Sequence, residues 1–203
     1  MTSRRMDPLP SEVLEDPRYT VPHCPEAEHG IGWLRGRVPR FSEGAEHTRR
    51  RAVLERTLAG LDVRPGAGGQ PPAALLAAMG LSRELVGEVA AAAAAYQPHT
   101  SDRELTAAAD DAVERLVVAC GDRSERTAML ICILVQAHAG LTAVAEQRRS
   151  GRTGPPIPVT RRVAPDGREV LVDLSEAPFG RGAHACPGEQ LAAVLAATES
   201  PQR

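Results

Sequence analysis

The sequence contains no lysine; all 24 of its basic residues are arginine, set against 26 acidic residues for a net charge of −2. A chain this close to neutral projects no long-range field toward nucleic acid or an anionic membrane. The arginine clusters at 49–51, 148–149 and 161–162 also lack the interleaved aromatics of a nucleic-acid surface. Aromatic residues make up only 2% of the chain, so a core must rest on alanine, leucine and valine. Cys24, Cys120, Cys132 and Cys186 form no Cys-x-x-Cys pair and no regular framework, which argues against a disulfide scaffold. His23, Cys24 and His29 lie near one another without a second pair at zinc-like spacing. There is no P-loop, no dinucleotide-binding glycine pattern and no serine nucleophile elbow, so any electrons used in catalysis must come from a separate donor. No apolar leader is seen: Arg4 and Arg5 are followed by Asp7, Pro8 and Glu12. The expectation is a cytoplasmic protein with reduced thiols. A lysine-free chain rich in Ala, Gly and Pro is the composition of a GC-rich bacterial genome.

What is present is mostly helical pattern. The hydrophobic fraction, 42% of 203 residues, is ordinary for a globular domain. Residues 1–32 show no period and read as an extended arm. A helix is expected over about 44–60, with Val53, Leu54, Leu58 and Leu61 on one face. The segment 62–72 breaks the chain. Pro71 and Pro72 then open a helix through Met79, stopped by Gly80. Another helix is expected over 82–96. Ser101 and Glu104 have capping-box spacing at the head of a helix reaching Cys120. The longest helix is expected over 124–149. Its apolar run, 127–145, nearly has the length of a membrane span, but Gln136 and His138 interrupt it and favour a buried core helix. From 150 to 188 the character changes to a loop, two β-prone runs (157–163 and 169–174) around a turn at 164–167, and a glycine-rich loop. A short helix follows, 189–198. The fold class expected is mainly α with a small β hairpin, one domain over 1–203.

The glycine-rich loop carries the chemistry. It reads Phe179-Gly-Arg-Gly182-Ala-His184-Ala-Cys186-Pro-Gly188. Glycines let a backbone approach a flat ligand closely, with no Cβ in the way. A cysteine placed directly before a helix sits where amide N–H groups converge, and these with the helix dipole favour a thiolate. Pro187 suits the first helical position, where no donor is needed. A thiolate held in this way is a strong axial ligand for haem iron and pushes electron density toward O–O cleavage. Upstream, His47 and Arg51 lie four apart and share one helix face. Two cationic donors on one face suit a carboxylate pair, and arginine gives a forked, permanent charge.

The loop resembles the haem-binding signature of the bacterial cytochromes P-450, matching it at Phe179, Gly182, His184, Cys186 and Gly188. The run from Phe41 to Arg51 looks like the start of that family's C helix. The run from Pro155 to Ala164 looks like the strand after its K helix, and the 124–149 helix occupies the place of its long I helix. The resemblance covers mostly 33–60 and 124–198. It implies a shortened cytochrome P-450-like helical fold that binds heme b (iron protoporphyrin IX). Cys186 would be the iron ligand, Phe179 a shield for the sulfur, and His184, His47, Arg51 and Arg161 the holders of the propionates, with Arg162 the neighbour that could exchange roles with Arg161. It implies a monooxygenase that inserts one oxygen atom into a small organic substrate, fed by a ferredoxin and ferredoxin reductase. Gly140, Thr142 and His138 would face the oxygen site.

The chain departs from the family pattern in places. The N-terminal sheet region is largely missing, and the segment between the long helix and the hairpin is short. The acid that precedes the family's I-helix threonine is absent; the run is Gln136-Ala-His138-Ala-Gly140-Leu-Thr142. His138 is open to three readings: a proton relay, a blocker of the oxygen position, or a core histidine. Glu146 and Arg149 have the family's Glu-x-x-Arg spacing, and equally suit a polar helix end. These departures motivate a second expectation, a degenerate non-catalytic haem-binding or protein-interaction module from the same family.

Overall fold

The computed structural model describes residues 7–63 and 71–197. The fold is mainly helical with one small antiparallel sheet. The helices are α1 (Gly30–Arg35), α2 (Gly44–Ala59), α3 (Pro71–Ala78), α4 (Val86–Ala94), α5 (Arg103–Cys120), α6 (Glu125–Ser150) and, after the sheet, α7 (Glu189–Ala197). The strands are β1 (Val159–Val163) and β2 (Glu169–Asp173), paired with Val159 opposite Asp173 and Val163 opposite Glu169.

The core sits where α1, α3, α4 and α5 close around the first half of α6. Leu34, Leu75, Val89, Ala112, Leu116, Ile131, Cys132 and Leu134 are all at most 2% exposed there. Ser124 caps α6 by accepting from the Thr127 N–H, and Gly151 follows its end in the left-handed conformation. The expectation of a core helix over 127–145 holds for the first half. Burial is continuous from Thr127 to Val135 except at Leu130, which is half-buried; beyond it, Leu141 is buried while Ala139 and Thr142 are exposed. The helix is long and apolar enough to cross a membrane, although here its first half packs inside the bundle.

Three local expectations shift. The N-cap of α5 is Asp102, not Ser101: the Asp102 carboxylate accepts from Glu104 N (2.9 Å) and Leu105 N (3.1 Å), so the helix begins one residue later. The 82–96 segment divides into a 3-10 turn at Arg83–Leu85 and α4. The N-terminal arm is ordered by the rest of the chain. It contains a 3-10 turn at Ser11–Glu15, and its residues Leu9 and Thr20 bridge to Val172 and Val163 on the two outer edges of the hairpin. Leu14 packs there with Val172 and Leu174 in a second small cluster. Residues 1–6 of the arm, 64–70 of the 62–72 break, and Thr198 lie outside the described residues.

Helix α1 interrupts the expected arm before residue 32. Gly30 takes a left-handed φ of +62°, and the first amides of the helix donate to α5 carboxylates, Gly30 N to Glu114 (2.8 Å) and Ile31 N to Asp110 (2.8 Å). Negative charge at a helix N-terminus is favourable. In the same way Arg35 caps the other end of a helix pair, donating to the carbonyls of Ala95, Tyr96 and Gln97 at the close of α4.

The Asp102→Ala variant should lose about 1 kcal/mol of stability in urea denaturation, the usual worth of an N-cap. Ser101→Ala should lose almost nothing. Equal losses would return the cap to Ser101.

Candidate functional site

The glycine-rich loop folds back on itself before α7. Cys186 N donates to the Phe179 carbonyl at 2.7 Å, closing a ring that includes the 3-10 turn Gly182–His184. Gly182 is required by contact as well as conformation. Its φ is +65°, and a Cβ there would stand 2.7 Å from the Leu14 carbonyl oxygen of the arm. Gly188 adjoins the thiol: a Cβ on it would be 3.9 Å from Cys186 Sγ. Cys186 and Phe179 are exposed, Phe179 at 39%. Among the described residues no side chain pairs with the Cys186 thiol.

Helix α2 holds this loop. Arg51 Nη1 donates to the carbonyls of Ala185 (2.5 Å) and Ala183 (3.4 Å), while its Nε pairs with Glu55 at 2.7 Å. The rings of His47 and His184 meet at a tilt of 49° with centroids 4.1 Å apart. His184 Nε2 lies 3.4 Å from a Glu43 carboxylate oxygen. His47 is 6% exposed, and its Nε2 is buried without a hydrogen-bond partner. A buried polar nitrogen left unmatched is costly, and an acceptor brought to it would remove that cost.

The strand contributes a buried cation. Residues Arg161 and Arg162 alternate across β1 as strand geometry demands. Arg161 turns outward and pairs with Glu169 at 3.0 Å. Arg162, 7% exposed, turns inward toward Glu43 and His184. Burial, then the charge of Arg40, lowers the Arg162 guanidinium to about 10, with Glu43 opposing. Of the expected propionate holders, the structure therefore brings together His47, Arg51 and His184, with Arg162 in the position expected of Arg161.

The expected oxygen-side residues stand apart from this cluster. On α6 the residue that feels Cys186 is Cys132, whose thiol is pushed up mainly by burial and in part by the Cys186 charge. Cys132 is also contacted by Gln136 Nε2 (2.9 Å) and the Tyr96 hydroxyl (3.5 Å). His138 is lowered by burial alone. Gly140 is half-buried with open space where a Cβ would be, and Thr142 is exposed. Ten residues of helix, about 15 Å of rise, separate Cys132 from Thr142. Glu146 and Arg149 pair with each other at 2.8 Å on the exposed end of the helix. Arg40 is marked by no sequence pattern, and Cys132 and Gln136 are given no site role by theirs; all three matter only through tertiary placement.

The donor set suits the carboxylate edge of a haem. It offers one orphaned imidazole nitrogen, one buried guanidinium whose hydrogen bonds among the described residues go to neutral oxygens, and one guanidinium already aimed at the loop that carries Cys186. Glu43 is the opposing carboxylate here, and it is engaged by Val21 N (2.6 Å) as well as His184.

No protein-family model and no curated protein matches the chain.

The two imidazoles in contact make the loop acid-sensitive. His184 is pushed down to about 4, first by burial and next by His47. His47 is lowered by burial and then by Arg51. An unfolded histidine titrates near ~6.5, so below that pH the unfolded chain binds more protons than the folded one. The stability contributed by the neutral pair is complete above about 6.5 and is lost as pH falls toward 4. Denaturation midpoints followed by Trp33 fluorescence should fall across this window, and His184→Gln should flatten the fall. An unchanged slope in that variant would contradict the assignment.

Proposed function

We propose that this chain is a haem-thiolate protein of the cytochrome P-450 type, with Cys186 as the iron ligand. Its reaction is insertion of one oxygen atom into a small organic substrate, using electrons from a ferredoxin and its reductase in the cytoplasm. The observation that carries this reading is the meeting of Cys186, His184, His47, Arg51 and Arg162 from three separate stretches of the chain.

When bound, the haem would supply the oxygen-activating chemistry. The chain's own residues do the holding. The loop presents the Cys186 sulfur, and Pro187, two residues before α7, brings no backbone N–H to compete for it. Arg51 fixes the loop carbonyls to α2 and keeps that sulfur in place. His47 Nε2 and the Arg162 fork would each donate to a propionate oxygen, and His184 would add a third contact. Burial keeps both imidazoles neutral near pH 7, so they act through N–H and not through charge. Phe179 lies beside the sulfur's loop and would limit water there. In this reading His138, Gly140 and Thr142 retain the oxygen-side role, with His138 able to hold a proton.

A second reading, a non-catalytic haem-binding or protein-interaction module of the same descent, is favoured by one observation: Thr142 is exposed and no acid precedes it. Oxygen uptake with a ferredoxin system separates the two.

Hemin titration followed in the Soret region should give one equivalent bound. Cys186→Ala should abolish the thiolate-type spectrum. Arg162→Gln should weaken binding by about tenfold or more, the worth of one charge-assisted hydrogen bond, while Arg161→Gln should change it little. A chain that stays colourless, or an Arg161 effect larger than that of Arg162, would contradict the reading.

A further inference from the structure

The carboxylate of Glu43 stands where three stretches of the chain meet. Glu43 directly precedes α2, yet its side chain makes no cap for that helix. One oxygen, Oε1, accepts from the Val21 N–H of the arm at 2.6 Å. The other, Oε2, lies 3.4 Å from His184 Nε2 in the glycine-rich loop. The arm is anchored just before this point, where Thr20 and Val163 of β1 exchange two backbone hydrogen bonds of 3.0 and 2.8 Å. Val21 itself is 7% exposed, so its amide has little water to turn to if the carboxylate leaves.

A carboxylate only accepts, so His184 Nε2 supplies the proton in this contact. That nitrogen has one proton to give. A propionate that accepts from it competes with Glu43, and two carboxylates brought to one imidazole repel each other. Resting on the haem reading, we propose that Glu43 is a latch on the haem site. Its carboxylate holds the propionate's place on His184 in the chain without haem, and haem entry turns it away and frees the Val21 amide of the arm.

The test titrates the full chain with hemin and follows amide exchange of the peptide carrying Val21 by mass spectrometry. Glu43→Gln keeps the side-chain length and an oxygen for Val21 N–H but removes the charge. It should bind hemin about tenfold more tightly than the parent, the scale of one charge-assisted hydrogen bond. Glu46→Gln removes an equal charge from the same turn of α2, at a carboxylate paired with Arg50 at 2.6 Å, and should bind as the parent does. Exchange at Val21 should quicken in the parent when hemin binds. In Glu43→Ala, which lacks both oxygens, it should be fast before hemin is added. The latch alone is overturned by equal hemin affinity in the parent and Glu43→Gln, by an equal gain in Glu46→Gln, or by Val21 exchange that neither hemin nor Glu43→Ala moves. Hemin bound by neither the parent nor Glu43→Gln overturns the haem reading and the latch with it. Hemin taken up by Glu43→Gln and not by the parent supports both.

Discussion

The contact on which the rest depends is the grip of Arg51 on the carbonyls of Ala183 and Ala185. It joins two stretches more than 130 residues apart in the chain. Without it the loop would be fixed by its own turn and by the arm residue Leu14 behind Gly182. With it, the His47 and His184 rings are brought into contact, Cys186 is set three residues before α7, and the buried face of β1 closes over the same point. An arginine is suited to this work because its fork can bond a loop carbonyl and a helix carboxylate at once.

That closure concentrates positive and potentially positive groups where little water reaches. His47, His184 and Arg162 lie near one another, with Glu43 the acid that offsets both His184 and Arg162. Such an arrangement is unfavourable for a chain that binds nothing there. It is what an anionic ligand would stabilise, and that is the physical reason for reading the junction as a binding site. On α6 it is Cys132, contacted by Gln136, that senses Cys186, while Thr142 stands exposed ten residues further along.

How much of this is legible in the sequence follows from how local each signal is. Helix α2 and the hairpin announce themselves through periodicity and a turn, and their bounds agree with expectation within a few residues. Helix α6 is equally visible, but its division into a buried and an open half depends on where α3 and α4 end. Helix α1 has no local start signal, because its amides are capped by Asp110 and Glu114, about eighty residues away. The choice between Arg161 and Arg162 turns on strand alternation. Alternation says that one points in, but not which, until the arm residue Thr20 covers one edge of the hairpin. Arg40 lies in no motif; its significance is an unmatched nitrogen seen only after folding.

The central claim is that the Cys186 sulfur, presented by the loop that α2 holds, ligates haem iron. The most direct measurement is the absorption spectrum of hemin-loaded protein after reduction and exposure to carbon monoxide. The account predicts the red-shifted band of a thiolate-ligated haem. A band at the position of imidazole-ligated haem, or a thiolate band that persists in Cys186→Ala, would contradict it.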